Sequence, residues 1–346
     1  MEVTRRCNLR CVHCRSSSES EIVRQPFSTA HGEGLLDQIA EYGDPVVVLT
    51  GGEPLLRDDL FDLIQHGSDR GLRMCLATNG SLLTTETVRA MRASGVRMVS
   101  LSLDGADAAA HDDFRQQEGS FEATLRAAVL LREGGQPFLV NSSFSRHNES
   151  QAPAVKRLAK EIGAVAWYMF LIVPTGRAQE LLDELVSRER YEELLQWHYD
   201  AEREESECEE AMLMRPTCAP HYYRIWHQRA SAEGRTHERQ SLLFSTGGGK
   251  GCIAGQRIAL IDVDGDVRPC SYFPLSAGNV REQPLKEIWE HAPLLLALRD
   301  PERLRGACGA CRYKHVCGGC RARAYHLEGD YLAADPMCDR GRGVSE

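Results

Sequence analysis

The chain reads as an α/β protein built on a parallel sheet, followed by a small cysteine-rich module. Three observations predict this. Short apolar runs alternate with amphipathic helical stretches at about 30-residue spacing over the first half, the pattern of repeated strand–helix–strand units. The runs are continuously apolar, as in strands buried on both faces. Ten of the thirteen cysteines crowd the two ends, three within 7–14 and seven between 252 and 338.

Taken in order, residues 1–6 supply a first strand. Further strands are expected at 45–50 (PVVVLT), 72–78 (LRMCLAT), 97–103 (RMVSLSL), 137–143 (PFLVNSS) and 165–172 (VAWYMFLI). Helices are expected near 32–42, 58–70, 84–94, 119–133 and 150–162. The third of these opens with Thr84 and Thr85 ahead of Glu86, a capping hydroxyl with an acid in the first turn. Residues 178–213 are helical in pattern and strongly acidic, and read as a solvated connecting element. Residues 230–251 are polar and Gly-rich, and read as a loop. Two strand-like pieces, RIALIDV and DVRPCSY, then flank an Asp264-Gly265 turn. A helix near 284–298 and the dense cysteine cluster complete the chain.

Composition narrows the classes of function. With 346 residues, 42% apolar and 26% charged, the chain is globular rather than disordered. No apolar run approaches the roughly 20 residues a membrane span needs, and no basic start leads into an apolar stretch, so neither a membrane partner nor a secretory signal is expected. A net charge of −9 gives no overall attraction to nucleic acid. Five Lys stand against 36 Arg, and Arg suits carboxylate and phosphate partners better. Thirteen cysteines, an odd number, in a chain without an export signal point to metal binding in a reducing, cytoplasmic setting rather than to disulfides.

Four segments carry chemistry. Cys7, Cys11 and Cys14 form a Cx3Cx2C loop after the first strand, able to hold three corners of a cubane iron–sulfur cluster. With His13 they also suit zinc. Thr50-Gly51-Gly52-Glu53-Pro54 follows the second strand, where two glycines let backbone approach a ligand and Glu53 offers a carboxylate to a cationic group. Cys308, Cys311, Cys317, Cys320 and Cys338, preceded by Cys252 and Cys270, have spacings that fit auxiliary iron–sulfur clusters or a zinc ribbon. Finally, VPTGR (173–177) and TCAPHYYRI (217–225) combine Arg177, Cys218, His221, Tyr222 and Arg224, donors and flat rings suited to a large anionic aromatic ligand or to simple packing. Cys75, in an apolar strand, reads as core.

The first motif resembles that of the radical S-adenosylmethionine (SAM) superfamily, and the resemblance extends over the whole chain. It implies a partial (β/α)6 barrel over 1–177, a helical linker and loop over 178–250, and a SPASM-like domain over 251–346. Cys7, Cys11 and Cys14 would hold a [4Fe–4S] cluster whose open iron binds SAM. The second motif is similar to the family's GGEP segment, and implies a SAM site made by Gly51, Gly52, Glu53, Pro54, Asn79, Ser102, Asp104 and Ser143, with His13 beside the cluster. The C-terminal array resembles the SPASM extension, which carries one or two auxiliary [4Fe–4S] clusters. Cys308, Cys311, Cys317 and Cys338 would serve the distal one, and Cys252, Cys270 and Cys320 the proximal one. That set is one short of four, and Cys218 or a substrate atom would fill the gap.

Within the superfamily, VPTGR, TCAPHYYRI and CGACRYKHVCGGCRARAYHLEGDYLAADPMC are most similar to the haem synthases of the sirohaem-dependent route. Those enzymes convert iron-coproporphyrin III to haem b by oxidatively decarboxylating two propionates to vinyls. Related tetrapyrrole enzymes (d1-haem synthesis, didecarboxysirohaem deacetylation) and peptide maturases are the alternatives. The resemblance further implies a low-potential electron donor such as a ferredoxin or flavodoxin. Arg177 and Arg224 are the expected propionate clamps, with His221 and Tyr222 beside them.

Overall fold

The computed structural model describes residues 1–19, 27–234 and 250–339. Seven parallel strands lie in sequential order: β1 (Glu2–Thr4), β2 (Val46–Gly51), β3 (Arg73–Thr78), β4 (Met98–Ser102), β5 (Phe138–Phe144), β6 (Ala166–Leu171) and β7 (Leu213–Thr217). The crossovers carry α1 (Thr29–Tyr42), α2 (Leu60–Asp69), α3 (Thr85–Ala93), α4 (Ala108–Arg115), α5 (Ser120–Glu133), α6 (Ala152–Glu161) and α7 (Arg188–Ser206). Beyond β7 come α8 (His221–Ala232), a short antiparallel pair β8 (Leu260–Ile261) and β9 (Val267–Arg268), then α9 (Leu285–His291), α10 (Pro293–Arg299), α11 (Gly306–Gly309) and α12 (Arg321–Glu328).

The continuous apolar strands are explained by two separate packing layers. Residues such as Leu49, Leu76, Leu101, Val140 and Trp167 join the large core shared with the helices. The alternate residues face the other way. Cys75, Met98, Leu139, Ala166 and Leu213 form a small apolar plug with Val46, Val48 and Tyr168 packed against it. Sheet register aligns this row: Cys75 lies opposite Met98, and Ala166 opposite both Leu139 and Leu213. Because side chains repeat every two residues along a strand, positions one and two steps further on share the plug's face. Those positions, among them Thr50, Ala77, Ser100, Ser102, Asn141 and Ser143, are small and, Ala77 apart, polar. The plug is thus the floor of a polar cavity at the strands' C-terminal ends.

The structure departs from the sequence reading in four places. The stretch assigned to a linker over 178–250 supplies β7, which lengthens the expected six-stranded sheet, and α8. Arg215 and Pro216 hid this strand, and a proline is tolerated there because β7 ends the row. The acidic α7 is not a solvated connector: Tyr191, Leu194, Leu195 and His198 are buried, and the 2% exposed Glu205 is paired with Lys156 and Lys160. The helix expected near 284–298 is two, broken at Ala292 by Pro293. The short α4 went unread, although Asp107 caps it by accepting from the Ala110 N–H at 2.9 Å. The Gly-rich loop read at 230–251 falls mostly outside the described residues. Among the described residues no helix is long and apolar enough to cross a membrane.

Met98 is 3% exposed in the plug. Met98→Ala is expected to cost about 2–5 kcal/mol, read as a lowered urea midpoint under anaerobic conditions.

Candidate active site

The cavity above the plug is bounded by the C-terminal ends of β2 to β6 and by the loop that follows β1. Its volume is about 1040 Å³ including the open mouth, at the upper end of small-molecule sites. Cys7, Cys11 and Cys14 all line it, together with His13, Ser16 and Ser18 of the same loop.

That loop has almost no regular structure, so its shape is imposed by contacts from elsewhere. The Gly52 N–H donates to the Thr4 carbonyl at 2.8 Å and the Glu53 N–H to the Arg6 carbonyl at 2.8 Å. The approach leaves no room for side chains: a Cβ on Gly51 would lie 2.1 Å from the Thr4 oxygen, and one on Gly52 2.2 Å from the Arg6 oxygen. From the far end of the sheet, the Arg177 N–H donates to the Cys14 carbonyl at 3.0 Å. Its side chain donates from Nε to the Cys11 carbonyl at 2.9 Å and from Nη1 to the Ser18 carbonyl at 2.8 Å. Gly176 sits at φ +60°, where a Cβ would meet the Cys14 and Arg15 oxygens at 2.4 Å. Arg177 is therefore occupied in bracing the cysteine loop and is not among the residues lining the cavity, contrary to its expected role as a propionate clamp.

Other expected residues change role as well. Glu53 is fully buried and does not line the cavity. Its carboxylate accepts from Thr78 Oγ1 at 2.8 Å, from the Asn79 N–H at 2.8 Å and from the Leu55 N–H at 3.1 Å. Burial pushes its pKa up to about 7 in spite of these bonds. It holds the end of β3, and it is Gly51, Gly52 and Asn79 that face the cavity. Pro54 is buried and opens the turn behind them as the first residue of a 3-10 helix. Asp104 is likewise fully buried and outside the lining. It accepts from the Ser143 N–H at 2.7 Å and pairs with Arg115 Nη2 at 2.5 Å, with His13 Nε2 at 3.6 Å. Burial pushes its carboxyl up, but the Arg115 guanidinium and the Ser143 N–H outweigh this and hold it below the ordinary range.

Arg115 and Asn141, with Arg15 and Tyr272, are among the cavity residues the sequence reading missed. Arg115 donates from Nη1 to Cys11 Sγ at 3.6 Å while bound to Asp104. It is the last residue of the unread α4, so no signal marked it. Asn141 has a buried Oδ1 without a hydrogen-bond partner, aimed at the end of β5 beside Ser102 and Ser143. The alternation along β5 was the signal available for it. His13 stacks on Phe114 with ring centroids 4.4 Å apart, and burial pushes its pKa down to about 4, so its imidazole is neutral.

The C-terminal cysteines gather in two groups. Cys308, Cys311, Cys317 and Cys338 line a second cavity, with His221 and Arg224 of α8 on its wall. Arg321 Nη2 and the Asp335 N–H both donate to Cys308 Sγ, at 3.6 and 3.4 Å, and the Tyr313 N–H donates to Cys311 Sγ at 3.4 Å. Arg224 is bound to Glu192 at 2.5 Å, and His221 Nε2 lies 3.5 Å from Asp335. Tyr222 is in the core, donating to Glu202. None of the three lines the first cavity, where the propionate clamp was expected. The other group is Cys252, Cys270, Cys320 and Cys218, with Cys218, Cys270 and Cys320 packed together against Tyr272 and Phe273. Tyr272 also lines the first cavity, the one residue from beyond β7 to do so among those described. Cys75 lies in the plug and the exposed Cys208 on the surface.

Three thiols at the mouth of a polar cavity, an unpartnered Asn141 oxygen and a strand end closed to side chains fit an iron–sulfur cluster with a polar ligand above the sheet. Fold and site together have the form of an α/β enzyme with a cysteine-bearing cofactor site at the strand ends. Residues 1–159 match the radical SAM superfamily model, and 252–320 match that of the iron-sulfur cluster-binding SPASM domain. The fold is similar to the crystal structure of Streptococcus suis SuiB bound to S-adenosylmethionine (TM-score 0.74, 18% identity, 98% of this chain and 76% of that one). An "AdoMet-dependent heme synthase" of Methanosarcina barkeri is 45% identical over 97% of this chain and 94% of its own length. Another of that name from Nitratidesulfovibrio vulgaris is 43% identical over 97% and 90%. The chain belongs to the radical SAM superfamily, in the SPASM-bearing branch that includes the AdoMet-dependent heme synthases. Its cofactors are SAM, a [4Fe–4S] cluster and auxiliary iron–sulfur clusters.

Arg177→Ala and Gly52→Ala are both expected to lower the iron bound at the SAM cluster, by up to about four atoms per chain. Porphyrin affinity by optical titration should stay unchanged in Arg177→Ala. Intact iron with weakened porphyrin binding would instead restore Arg177 as a substrate residue.

Proposed function

We propose that this enzyme converts iron-coproporphyrin III to haem b, by oxidative decarboxylation of two propionates to vinyls. The observation that carries this reading is identity of 45% and 43%, running through barrel and C-terminal module alike, to proteins named as heme synthases.

In this reading Cys7, Cys11 and Cys14 hold the SAM cluster. Main chain at Gly51 and Gly52 and the side chains of Asn79, Ser102, Asn141 and Ser143 bind SAM across the strand ends. When bound, the clusters and SAM supply a strongly oxidising carbon radical and an electron store next to the cavity; the protein supplies position and shelter. Asp104 orients Arg115 against Cys11, so that a charge-assisted N–H···S bond steadies one thiolate. The apolar plug shuts water out from below. Arg15, which lines the cavity and is bound to Glu2 at 2.6 Å, and Tyr272, which lines it too, are in this reading the donors that hold a propionate. His326 Nε2 bonds the Tyr272 carbonyl at 3.1 Å and fixes that residue in place. Distal Cys308, Cys311, Cys317 and Cys338 hold one auxiliary cluster, and the proximal group a second. The reading carries with it a low-potential electron donor of ferredoxin or flavodoxin type and a cytoplasmic setting in which thiols stay reduced.

The test is anaerobic reconstitution followed by incubation with SAM, reductant and iron-coproporphyrin III. Mono- and divinyl products are expected alongside 5′-deoxyadenosine; deoxyadenosine without either product would sink the substrate assignment. Tyr272→Phe is expected to weaken porphyrin binding by about tenfold, the loss of a hydrogen bond to a charged group, with iron content unchanged.

A further inference from the structure

Five arginines are buried among the described residues, and four of them are partnered. Arg115 pairs with Asp104 and Arg224 with Glu192, each at 2.5 Å, and Arg323 pairs with Asp335 at 3.2 Å. Arg321 donates to the Tyr331 and Ala333 carbonyls at 2.9 and 2.5 Å. Arg215, 9% exposed, is the exception. It has no carboxylate within ion-pair reach and makes no side-chain hydrogen bond among the described residues, and its Nε is buried without a partner. A buried guanidinium with no counter-charge is costly unless a ligand supplies one. We infer that Arg215 binds a carboxylate of the substrate, namely a propionate that the reaction leaves in place. This rests on iron-coproporphyrin III as the substrate and adds the residue that holds its unreacting edge.

The strand places this guanidinium inside the barrel. Leu213 of β7 belongs to the apolar plug, and Met214 packs in the large core on the other face. Arg215, two residues beyond Leu213, therefore shares the plug's face, one level above the floor. Register extends that level across the sheet: Arg215 lies opposite Tyr168, Tyr168 opposite Asn141, and Asn141 opposite Ser102. Ser102 and Asn141 line the cavity, so Arg215 continues the same polar wall to the last strand. The Arg215 Cζ sits 5.7 Å from the centroid of the Tyr168 ring, which steadies it. Neither neighbour supplies a negative charge. Burial pushes the Tyr168 phenol up despite the guanidinium, and it pushes the Cys75 thiol in the plug up to about 11.

A planar guanidinium fork matches a carboxylate with two parallel N–H···O bonds. Iron-coproporphyrin III carries propionates beyond the two that become vinyls, and haem b retains them. A buried ion pair favours the ionised carboxylate over neutral carbon dioxide, and loss of that carboxylate would strand the guanidinium again. Arg215 is thus badly suited to a propionate that must leave and well suited to one that stays. Nor does it line the cavity that holds Cys7, Cys11 and Cys14, where the reacting group belongs. Arg15 does line that cavity, and it already shares its charge with Glu2 at 2.6 Å. Its weaker hold suits a departing group. The two arginines then divide the macrocycle between a reacting edge and an anchored one.

The test is anaerobic optical titration of the reconstituted enzyme, without reductant, with iron-coproporphyrin III, with haem b and with iron octaethylporphyrin, which has no carboxylate. Arg215→Met should weaken binding of the first two alike, by roughly thirtyfold or more. Affinity for iron octaethylporphyrin and the content of bound iron should both stay at the wild-type level. Unchanged affinity for iron-coproporphyrin III and haem b would overturn the inference. So would weakening confined to iron-coproporphyrin III, which would put a reacting propionate on Arg215. Equal weakening of iron octaethylporphyrin would show a packing role and overturn it too. Should Arg215→Met lose its fold by circular dichroism, Arg215→Gln is read by the same criteria. Wild-type enzyme that binds neither iron-coproporphyrin III nor haem b would sink the substrate reading, and this inference with it; wild-type binding that Arg215→Met leaves intact sinks the inference alone.

Discussion

An irregular loop that must present three thiols to one point cannot hold itself, and the rest of the site follows from how it is held. Residues 7–14 form no helix or strand, so their carbonyls take partners from other elements. Gly52 and Glu53 bind the carbonyls entering the loop, and Arg177 binds those leaving it. The two clamps lie at β2 and beyond β6, far apart in sequence. The loop is therefore only as well formed as the sheet that spans between them. This explains why two motifs with the look of ligand sites, GGEP and VPTGR, are spent largely on the backbone of a third.

The inner face of the sheet divides the work between two heights. Its lower row is apolar and closes the cavity; its upper row is small and polar and leaves room for a cofactor. A strand alternates faces with a period of two, so one change of residue type along each strand makes both floor and wall. Arg115 and Asp104 add a buried ion pair to that wall. Such a pair is weak evidence of stability, but it fixes a guanidinium against Cys11 in one orientation.

In the C-terminal module a second buried pair, Arg323 with Asp335, plays the organising part. Its members reach Cys218 and Cys320 on one side, while the Asp335 N–H reaches Cys308 on the other. The two cysteine groups are thereby built on one scaffold, and Tyr272 extends that scaffold into the cavity of the barrel.

Much of this was legible from residues alone. Alternating apolar runs determined a parallel α/β sheet, and cysteine spacing determined that metal binding sits at both ends, because ligand spacing in a short loop is a local property. The seventh strand was not legible, since Arg215 and Pro216 are tolerated only by virtue of its place at the end of the sheet. Nor were the roles of Glu53, Asp104, Arg177, His221, Tyr222 and Arg224. A carboxylate or guanidinium near a motif looks the same in sequence whether it faces a ligand or a carbonyl. Which it does depends on what the fold brings within about 3 Å of it, and only the tertiary structure decided that. The same holds for Cys218: its residue type was visible, but its company was set by a buried ion pair and three segments from elsewhere in the chain.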